Sequence, residues 1–228
     1  MRDRKHRLFA AVYDAMSRPL EQAALAERRA RLLGDLTGDV LEVGAGTGVN
    51  LRHYQRAARV VAVEPDLAMR RRLAANLFGA VVPVQVSDAV AESLPHPDDS
   101  FDAVVFTLVL CTVADPGRAL AEVRRVLKPG GRLIILEHVR GDGAMARWQD
   151  RVTPLWRVLF AGCHPNRDIA AAIAAAGFRL TQVERFRPMP AWIPASPMLQ
   201  AVAVRPSADP TSDVAVVERP RSRTGSPP

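Results

Sequence analysis

The chain has 228 residues, of which 48% are hydrophobic, and this length and composition suit a single folded domain with a sizeable core. The formal net charge of +7 comes almost entirely from arginines scattered along the chain, so we expect no nucleic-acid partner. Cys111 and Cys163 lie in or near apolar segments and fit a reducing compartment. The sequence has no signal peptide, membrane-length apolar run or metal-ligand spacing, so we expect a cytoplasmic protein without a metal.

An apolar face follows a basic stretch at residues 2–7. Its members recur at helical spacing and are Leu8, Phe9, Val12, Tyr13 and Met16. Three interpretations are open: a helix packed on the domain, a lid that brings Tyr13 to the chemistry, or an interfacial helix at residues 1–16 that contacts a membrane peripherally. Ser17 and Pro19 are typical of a helix start, which predicts a second helix to about Leu33.

A short apolar strand at residues 40–43 leads into the glycine-rich stretch Gly44-Ala45-Gly46-Thr47-Gly48, and helix-compatible residues follow. Glycines permit positive φ and let a ligand approach the backbone without a Cβ in the way. A dinucleotide fingerprint would need a glycine where the chain has Val49. Glu42, just before the glycines, suits a ligand that carries an ammonium group. The alternative is a purely structural corner between strand and helix.

The second strand, at residues 60–63, ends at Glu64 and Pro65. Glu64 lies twenty residues beyond Gly44, where nucleotide-binding folds place an acid on the ribose. A carboxylate can accept hydrogen bonds from both ribose hydroxyls, which is why an acid is needed there. The alternative role for Glu64 is to cap the helix predicted over residues 66–77.

The third strand, at residues 81–86, leads to Asp88 and Ala89. A carboxylate at this strand end could accept from an adenine amino group. Asp88 could equally belong to a turn, so the local sequence leaves both interpretations open.

The fourth strand, at residues 103–106, ends in Thr107 and Leu108. Ligands of open α/β sheets bind at the carboxyl ends of the strands, so these two residues are candidates for the site. An amphipathic helix over residues 115–127 and a fifth strand at residues 132–137 follow. This alternation predicts an α/β fold with right-handed βαβ units and a doubly wound sheet.

The order of these motifs over residues 40–138 resembles the class I S-adenosylmethionine (SAM)-dependent methyltransferases. The resemblance implies a Rossmann-like, mostly parallel seven-stranded sheet with an antiparallel last strand and helices on both faces. It also implies SAM as cofactor. The cofactor-binding residues would be Glu42, Gly44, Ala45, Gly46, Thr47, Gly48, Glu64, Pro65, Asp88, Ala89, Thr107 and Leu108.

A narrower resemblance, from about Tyr13 to Val204, is to the methyltransferase-like group that includes the animal alkyl thiol methyltransferases. The segments that carry it are Thr107–Val113, Glu137–Val139, Trp148-Gln149, Pro154–Trp156, Gly162-Cys163 with Arg167, and Trp192–Pro194. Bacterial chains of this kind also resemble phospholipid and quinone methyltransferases. The animal members carry an apolar membrane-anchoring segment, where this chain has a short basic amphipathic stretch.

The implied reaction moves the SAM methyl group to a small apolar acceptor, with a thiol ahead of a phospholipid headgroup or a quinone precursor. The expected acceptor pocket contains Cys111, Trp148, Trp156, Cys163 and Arg167. Cys163 itself is interpreted as a small buried hydrophobe and not as a nucleophile. The expected catalytic residues are Tyr13 and His138, although His138 could instead be a hydrogen-bonded structural histidine.

Two other functions were compared with catalysis of this kind. A SAM-binding module without turnover would keep the same acids at the cofactor site. A nucleic-acid methyltransferase would carry an Asn-Pro-Pro-Tyr or Asp-Pro-Pro-Tyr motif where this chain has residues 106–109.

Strands are further predicted at 178–186 and 198–204. The domain would then span residues 1–205, with lid helices over about 1–36, and a disordered tail at 206–228.

Overall fold

A computed structural model describes residues 24–207, so the N-terminal amphipathic stretch with Tyr13 and the segment 208–228 lie outside the described residues. The strands are β1 (Thr37–Val43), β2 (Arg56–Val63), β3 (Val84–Ser87), β4 (Phe101–Thr107), β5 (Leu127–His138), β6 (Arg179–Phe186) and β7 (Met198–Val204). The helices are α1 (Ala26–Leu33), α2 (Leu67–Asn76), α3 (Pro116–Val126), α4 (Gly143–Leu159) and α5 (Ile169–Ala175), with 3₁₀ turns at Leu51–His53 and Leu77–Gly79. Within residues 24–207, no helix is long and apolar enough to span a bilayer.

The strands form a seven-stranded sheet in the order β3-β2-β1-β4-β5-β7-β6. The pairs among β1 to β5 are parallel, and β7 runs antiparallel to both β5 and β6. This confirms the predicted α/β class, the seven strands and the antiparallel last strand. The strand order reverses between β1 and β4, which creates the crevice where open α/β sheets bind ligands.

Helices cover both faces of the sheet because the central strands are apolar on both sides. Helix α3 buries one apolar face at helical spacing, which consists of Ala119, Leu120, Val123 and Val126. This face belongs to the same hydrophobic core cluster as the buried residues of α5. Helix α1 packs into a separate cluster on the other strand residues, with Leu33 fully buried. The sheet is therefore held rigidly between two apolar layers, and its carboxyl edge is left to carry the site.

Several element boundaries differ from the sequence prediction; strands β1 and β2, for example, begin at Thr37 and Arg56 and not at residues 40 and 60. Three other differences have a clear local reason. Strand β3 begins at Val84 and not at residue 81, because Pro83 has no N–H to contribute to the ladder. Strand β5 begins at Leu127 and not at residue 132, because Leu127 already pairs with Phe101 of β4. Helix α2 begins one residue later than predicted, because Asp66 is its N-cap and accepts from two backbone amides at 2.8 and 2.9 Å.

Candidate active site

A cavity of about 620 Å³ opens where the sheet order reverses, at the carboxyl ends of β1, β2 and β4. This volume lies within the range of roughly 300–1,000 Å³ that small-molecule sites occupy. The residues that line the cavity form two groups. The glycine-turn side consists of Glu42, Gly44–Thr47, Asn50 and Glu64, and the cysteine side consists of Cys111, His138, Trp156, Phe160 and Cys163.

Glycine is needed at different positions of the turn for different structural reasons. Gly44, Gly46 and Gly48 all have positive φ, at 72°, 58° and 86°. A Cβ on Gly44 would lie 2.4 Å from the Val109 side chain, so a glycine there is required by packing. A Cβ on Gly46 would meet nothing within 4 Å, and Gly46 lines the cavity. Gly46 therefore gives a ligand direct access to the backbone.

Glu64 connects the glycine turn to the start of α2. Its carboxylate accepts from the backbone N–H of Gly46 at 2.8 Å and from that of Asp66 at 2.9 Å. Burial raises the pKa of Glu64, and these two hydrogen bonds oppose the rise. A carboxylate has about four lone-pair positions, so Glu64 keeps two for a ligand. Asp66 caps α2 with its own side chain, which leaves Glu64 directed at the turn and the cavity.

Glu42 lies at the centre of a buried hydrogen-bond network. Its carboxylate accepts from the Asn50 amide at 2.8 Å and from the Tyr54 hydroxyl at 2.9 Å. The Asn50 amide also donates to the Thr107 hydroxyl at 3.0 Å, and Arg29 donates to the Asn50 oxygen at 2.5 Å. Burial raises the pKa of Glu42 to about 7. The network joins the end of β1 to the end of β4, and the sequence prediction included neither Asn50 nor Tyr54.

Two thiols and an imidazole converge on the cysteine side. The Nδ1 atom of His138 lies 3.7 Å from the Cys111 sulfur and 3.6 Å from the Cys163 sulfur. The hydrogen bond from Cys111, followed by contact with His138, lowers the pKa of Cys163 to about 5. The same contact with Cys163 raises the pKa of Cys111, and burial raises it further. Burial opposes protonation of His138, but its contact with Cys163 prevails and raises its pKa.

The turn that carries Cys111 is held from both sides. The buried Glu137 carboxylate accepts from the N–H groups of Val109 and Leu110 at 2.6 and 2.7 Å. The Arg167 guanidinium donates to the carbonyls of Leu110 and Val113 at 2.6 and 2.8 Å. The loss of either side chain would leave buried backbone groups unpaired, so the position of Cys111 is strongly determined.

Stacked aromatic rings form an apolar wall of the cysteine side. The rings of Trp156 and Phe160 lie 3.9 Å apart between centroids, at 21°. The indole nitrogen of Trp156 is buried and has no hydrogen-bond partner among residues 24–207. Trp148, by contrast, is 44% exposed and donates its indole N–H to the carbonyl of Trp192 at 3.0 Å.

A family model described as a methyltransferase domain matches residues 41–135. The thiol S-methyltransferase TMT1B of Rattus norvegicus is 36% identical over 180 aligned positions, and the alignment covers 73% of this chain and 70% of that protein. The chain belongs to the SAM-dependent methyltransferases. The phosphatidylethanolamine N-methyltransferase of Cereibacter sphaeroides is also similar, at 30% identity over 65% of this chain and 72% of that protein.

The same family fold is found in a solved geranyl diphosphate methyltransferase in complex with SAM. That structure aligns with a TM-score of 0.65 at 18% identity, over 80% of this chain and 85% of that chain. The glycine-turn side of this methyltransferase fits the cofactor on its own geometry. Gly46 leaves the turn open to the cavity, and Glu64 offers unused acceptor positions. Two nearby acids, Glu42 and Glu64, suit a ligand that carries an ammonium and a sulfonium.

The structure distributes the predicted site residues of the methyltransferase unequally. Pro65, Thr107 and Leu108 line the cavity together with the glycine turn. Asp88 is exposed, and the cavity takes the residues just beyond it, Val90, Ala91 and Glu92, as lining. Four other predicted residues likewise lie outside its lining among the described residues: Gly48, Ala89, Trp148 and Arg167. Tyr13 lies outside the described residues.

Proposed function

We propose that this methyltransferase transfers the methyl group of SAM to the sulfur of a small, apolar thiol. The observation that carries the proposal is the composition of the cysteine side, where thiol and imidazole groups face a stacked aromatic wall. Such a surface suits an acceptor with an apolar body and one soft nucleophilic atom. The similarity to a protein named as a thiol S-methyltransferase supports the same acceptor class.

The cofactor supplies a methyl group on a sulfonium, which is an excellent leaving group. The protein therefore has to align the acceptor and exclude water, and alignment can contribute roughly 7–11 kcal/mol in favourable cases. A thiol must first lose its proton, because the thiolate is the nucleophile. His138 is the imidazole that lines the cysteine side, and we assign it to this ionisation step.

A phospholipid amine is the alternative acceptor, supported by the similarity to the Cereibacter sphaeroides protein. Under this alternative, residues 1–16 would contact a membrane, and the lid role of Tyr13 would give way to lipid binding. We favour the thiol and the lid, and we keep the proposed domain limits of 1–205 with a dispensable tail at 206–228. A cytoplasmic location remains part of the proposal, because Cys111 and Cys163 are both free thiols.

An acceptor panel with methyl-labelled SAM tests the proposal. We expect the kcat/KM for small alkyl thiols to exceed that for phosphatidylethanolamine vesicles or a quinol by on the order of 100-fold. The Gly46→Val variant serves as a control that should transfer no label. A preference for phospholipid would contradict the thiol assignment. SAM binding without transfer to any acceptor would instead indicate a binding module without catalysis.

Truncation tests the part assigned to residues 1–16. If these residues form a lid, removing them should lower turnover of a soluble alkyl thiol by on the order of 100-fold, because alignment and water exclusion are lost. Tyr13→Ala in the full chain should cause part of the same loss. Full turnover of the soluble thiol by the truncated protein, with lost binding to anionic vesicles, would contradict the lid.

A further inference from the structure

The donor atoms of the cysteine side come from three separate elements of the fold. Cys111 follows β4, His138 ends β5, and Cys163 follows α4. One donor atom from each of the three residues lies within 4.8 Å of the other two. The sulfur-to-nitrogen distances are 3.7 and 3.6 Å. A tetrahedral zinc ion, with Zn–S near 2.3 Å and Zn–N near 2.0–2.1 Å, would separate such ligands by about 3.6 Å.

This ligand set has a known preference. Two thiolates and an imidazole suit a borderline-soft divalent cation, and in catalytic zinc sites three protein ligands leave a fourth position open. A disulfide between Cys111 and Cys163 would use only the two sulfurs and give no reason for His138 to lie at ligand distance from both. All three residues line the cavity, so a fourth position is accessible to a substrate.

We propose that Cys111, His138 and Cys163 bind a Zn²⁺ ion whose fourth position holds the sulfur of the acceptor thiol. The inference rests on the proposed function for the identity of that fourth ligand. The three protein ligands stand on the observed geometry alone. Before the acceptor binds, two cysteine thiolates would balance the charge of the ion, which avoids the cost of a net charge in this cavity.

Surrounding contacts fix the ligands in place, as they do around metal sites generally. Glu137 and Arg167 hold the turn that presents Cys111, and the backbone N–H of His164 donates to the Cys111 carbonyl at 2.7 Å. The indole N–H of Trp156 is buried, has no hydrogen-bond partner among residues 24–207, and lines the same cavity as Cys163. It is therefore available as a donor to a coordinated thiolate sulfur.

Methyl transfer to the coordinated thiol needs no reactant other than SAM and the thiol itself. The acceptor thiol loses its proton to solvent on coordination, because a bound divalent cation deprotonates a thiol. A carbon–sulfur bond then forms between the thiolate and the methyl carbon, while the bond from that carbon to the sulfonium sulfur breaks. The products are a thioether and S-adenosylhomocysteine. His138 would promote the ionisation as a metal ligand and not as the proton acceptor.

Metal content of the untagged full-length chain tests the site directly. After purification with zinc and dialysis against metal-free buffer, we expect close to one zinc per chain by elemental analysis. Cys111→Ala, Cys163→Ala and His138→Ala should each weaken zinc binding by at least about tenfold. His53→Gln, a histidine change in the Leu51–His53 turn, should leave zinc content unchanged. Thermal melting followed by circular dichroism confirms that each variant is folded.

X-ray absorption at the zinc edge tests the fourth ligand separately. We expect two sulfurs near 2.3 Å before a small alkyl thiol is added and three afterwards. Zinc that persists equally in all three variants would overturn the site. A zinc-free protein with full thiol turnover would also overturn the site, but it would leave the proposed function standing. An unchanged spectrum during active turnover would overturn the fourth ligand. A third sulfur without methyl transfer supports the site and contradicts the proposed function.

Discussion

The two sides of the cavity are built in different ways. On the glycine-turn side, Gly44 and Gly46 belong to one turn, and Glu64 lies at the end of the next strand. On the cysteine side, the contacting residues are separated by 27 and 25 positions along the chain. The glycine-turn side thus comes from one turn and the end of the neighbouring strand, whereas the cysteine side joins residues that follow or end three separate elements.

The support of the two sides differs in the same way. The glycine turn depends on backbone conformation, with positive φ at each of its glycines. The cysteine side depends on the buried Glu137 and the half-buried Arg167, which hold a turn from both sides. Substitutions on the first side should therefore change the affinity for SAM. Substitutions on the second should change turnover at constant affinity for SAM.

The largest effect is expected for Gly46→Val, which adds a branched side chain inside the cavity. We expect SAM affinity to fall by on the order of 1,000-fold, about 4 kcal/mol, measured by titration calorimetry. Gly130→Val is the matched control, because Gly130 also has positive φ and an open Cβ position but does not line this cavity. Both variants share the backbone strain, so equal losses of affinity in the two would contradict the assignment of the turn.

The pH dependence of stability should reveal the buried Glu42. In the folded protein the pKa of Glu42 is about 7, above its ordinary value of 4.5, so the folded state keeps a proton that the unfolded chain loses between these values. The stability it confers is therefore present below about pH 4.5 and falls as the pH rises to about 7, by roughly 3 kcal/mol. Chemical denaturation at several pH values measures this, with Glu42→Gln as the comparison. An unchanged slope in Glu42→Gln would show that other groups cause it.

Glu64→Ala should weaken SAM binding by at least about tenfold, because hydrogen bonds to a charged group are worth about 1.5–3 kcal/mol. Asp88→Ala provides an informative companion, since Asp88 is exposed beside the cavity lining. Its adenine role remains a prediction, and a loss of affinity in this variant would support it. Wild-type affinity in Glu64→Ala would remove Glu64 from the cofactor site.

Arg167→Ala should give the smallest effect, and it should lower kcat and not the affinity for SAM. Arg167 positions Cys111 through the carbonyls of Leu110 and Val113. We expect kcat for a thiol to fall by about tenfold while the Kd for SAM stays unchanged. Arg167→Lys should recover part of the loss, because one cationic nitrogen can still donate to both carbonyls. Arg140→Ala, which breaks an exposed ion pair with Asp150, is the control. A shift in SAM affinity alone would contradict the positioning role.

The fold was predictable because its signals are local. Apolar runs ending in acids or glycines mark β1 and β2, and the amphipathic pattern of α3 stops just before residues 128–131. The predicted starts of β3 and β5 were wrong because hydrogen bonding, and not hydropathy, decides these boundaries, at Pro83 and Leu127. The glycine turn and Glu64 were predicted from local spacing for the same reason, and both line the cavity. Their contact with SAM stays a prediction.

The remaining site residues carry no local signal. Tyr54 and Asn50 become partners of Glu42 only because a turn folds back over β1. The same holds for Gln149, which does not line the cavity: it is fully buried and donates to carbonyls 10, 16 and 45 residues away, contacts that the helical pattern of α4 does not show. The expectation of no metal rested on sequence spacing, which does not test the zinc site proposed at Cys111, His138 and Cys163, because the fold brings these residues together from three elements. Such sites require the tertiary structure.

A crystal structure of the full-length chain with S-adenosylhomocysteine and a small alkyl thiol tests the central claim most directly. The claim is that one cavity holds the cofactor on its glycine-turn side and the acceptor on its cysteine side. We predict ribose hydroxyls on the Glu64 carboxylate and the thiol sulfur beside Cys111, His138 and Cys163. A thiol bound instead at the exposed surface around Trp148 and Trp192, or a nucleoside away from the Gly46 turn, would contradict the account.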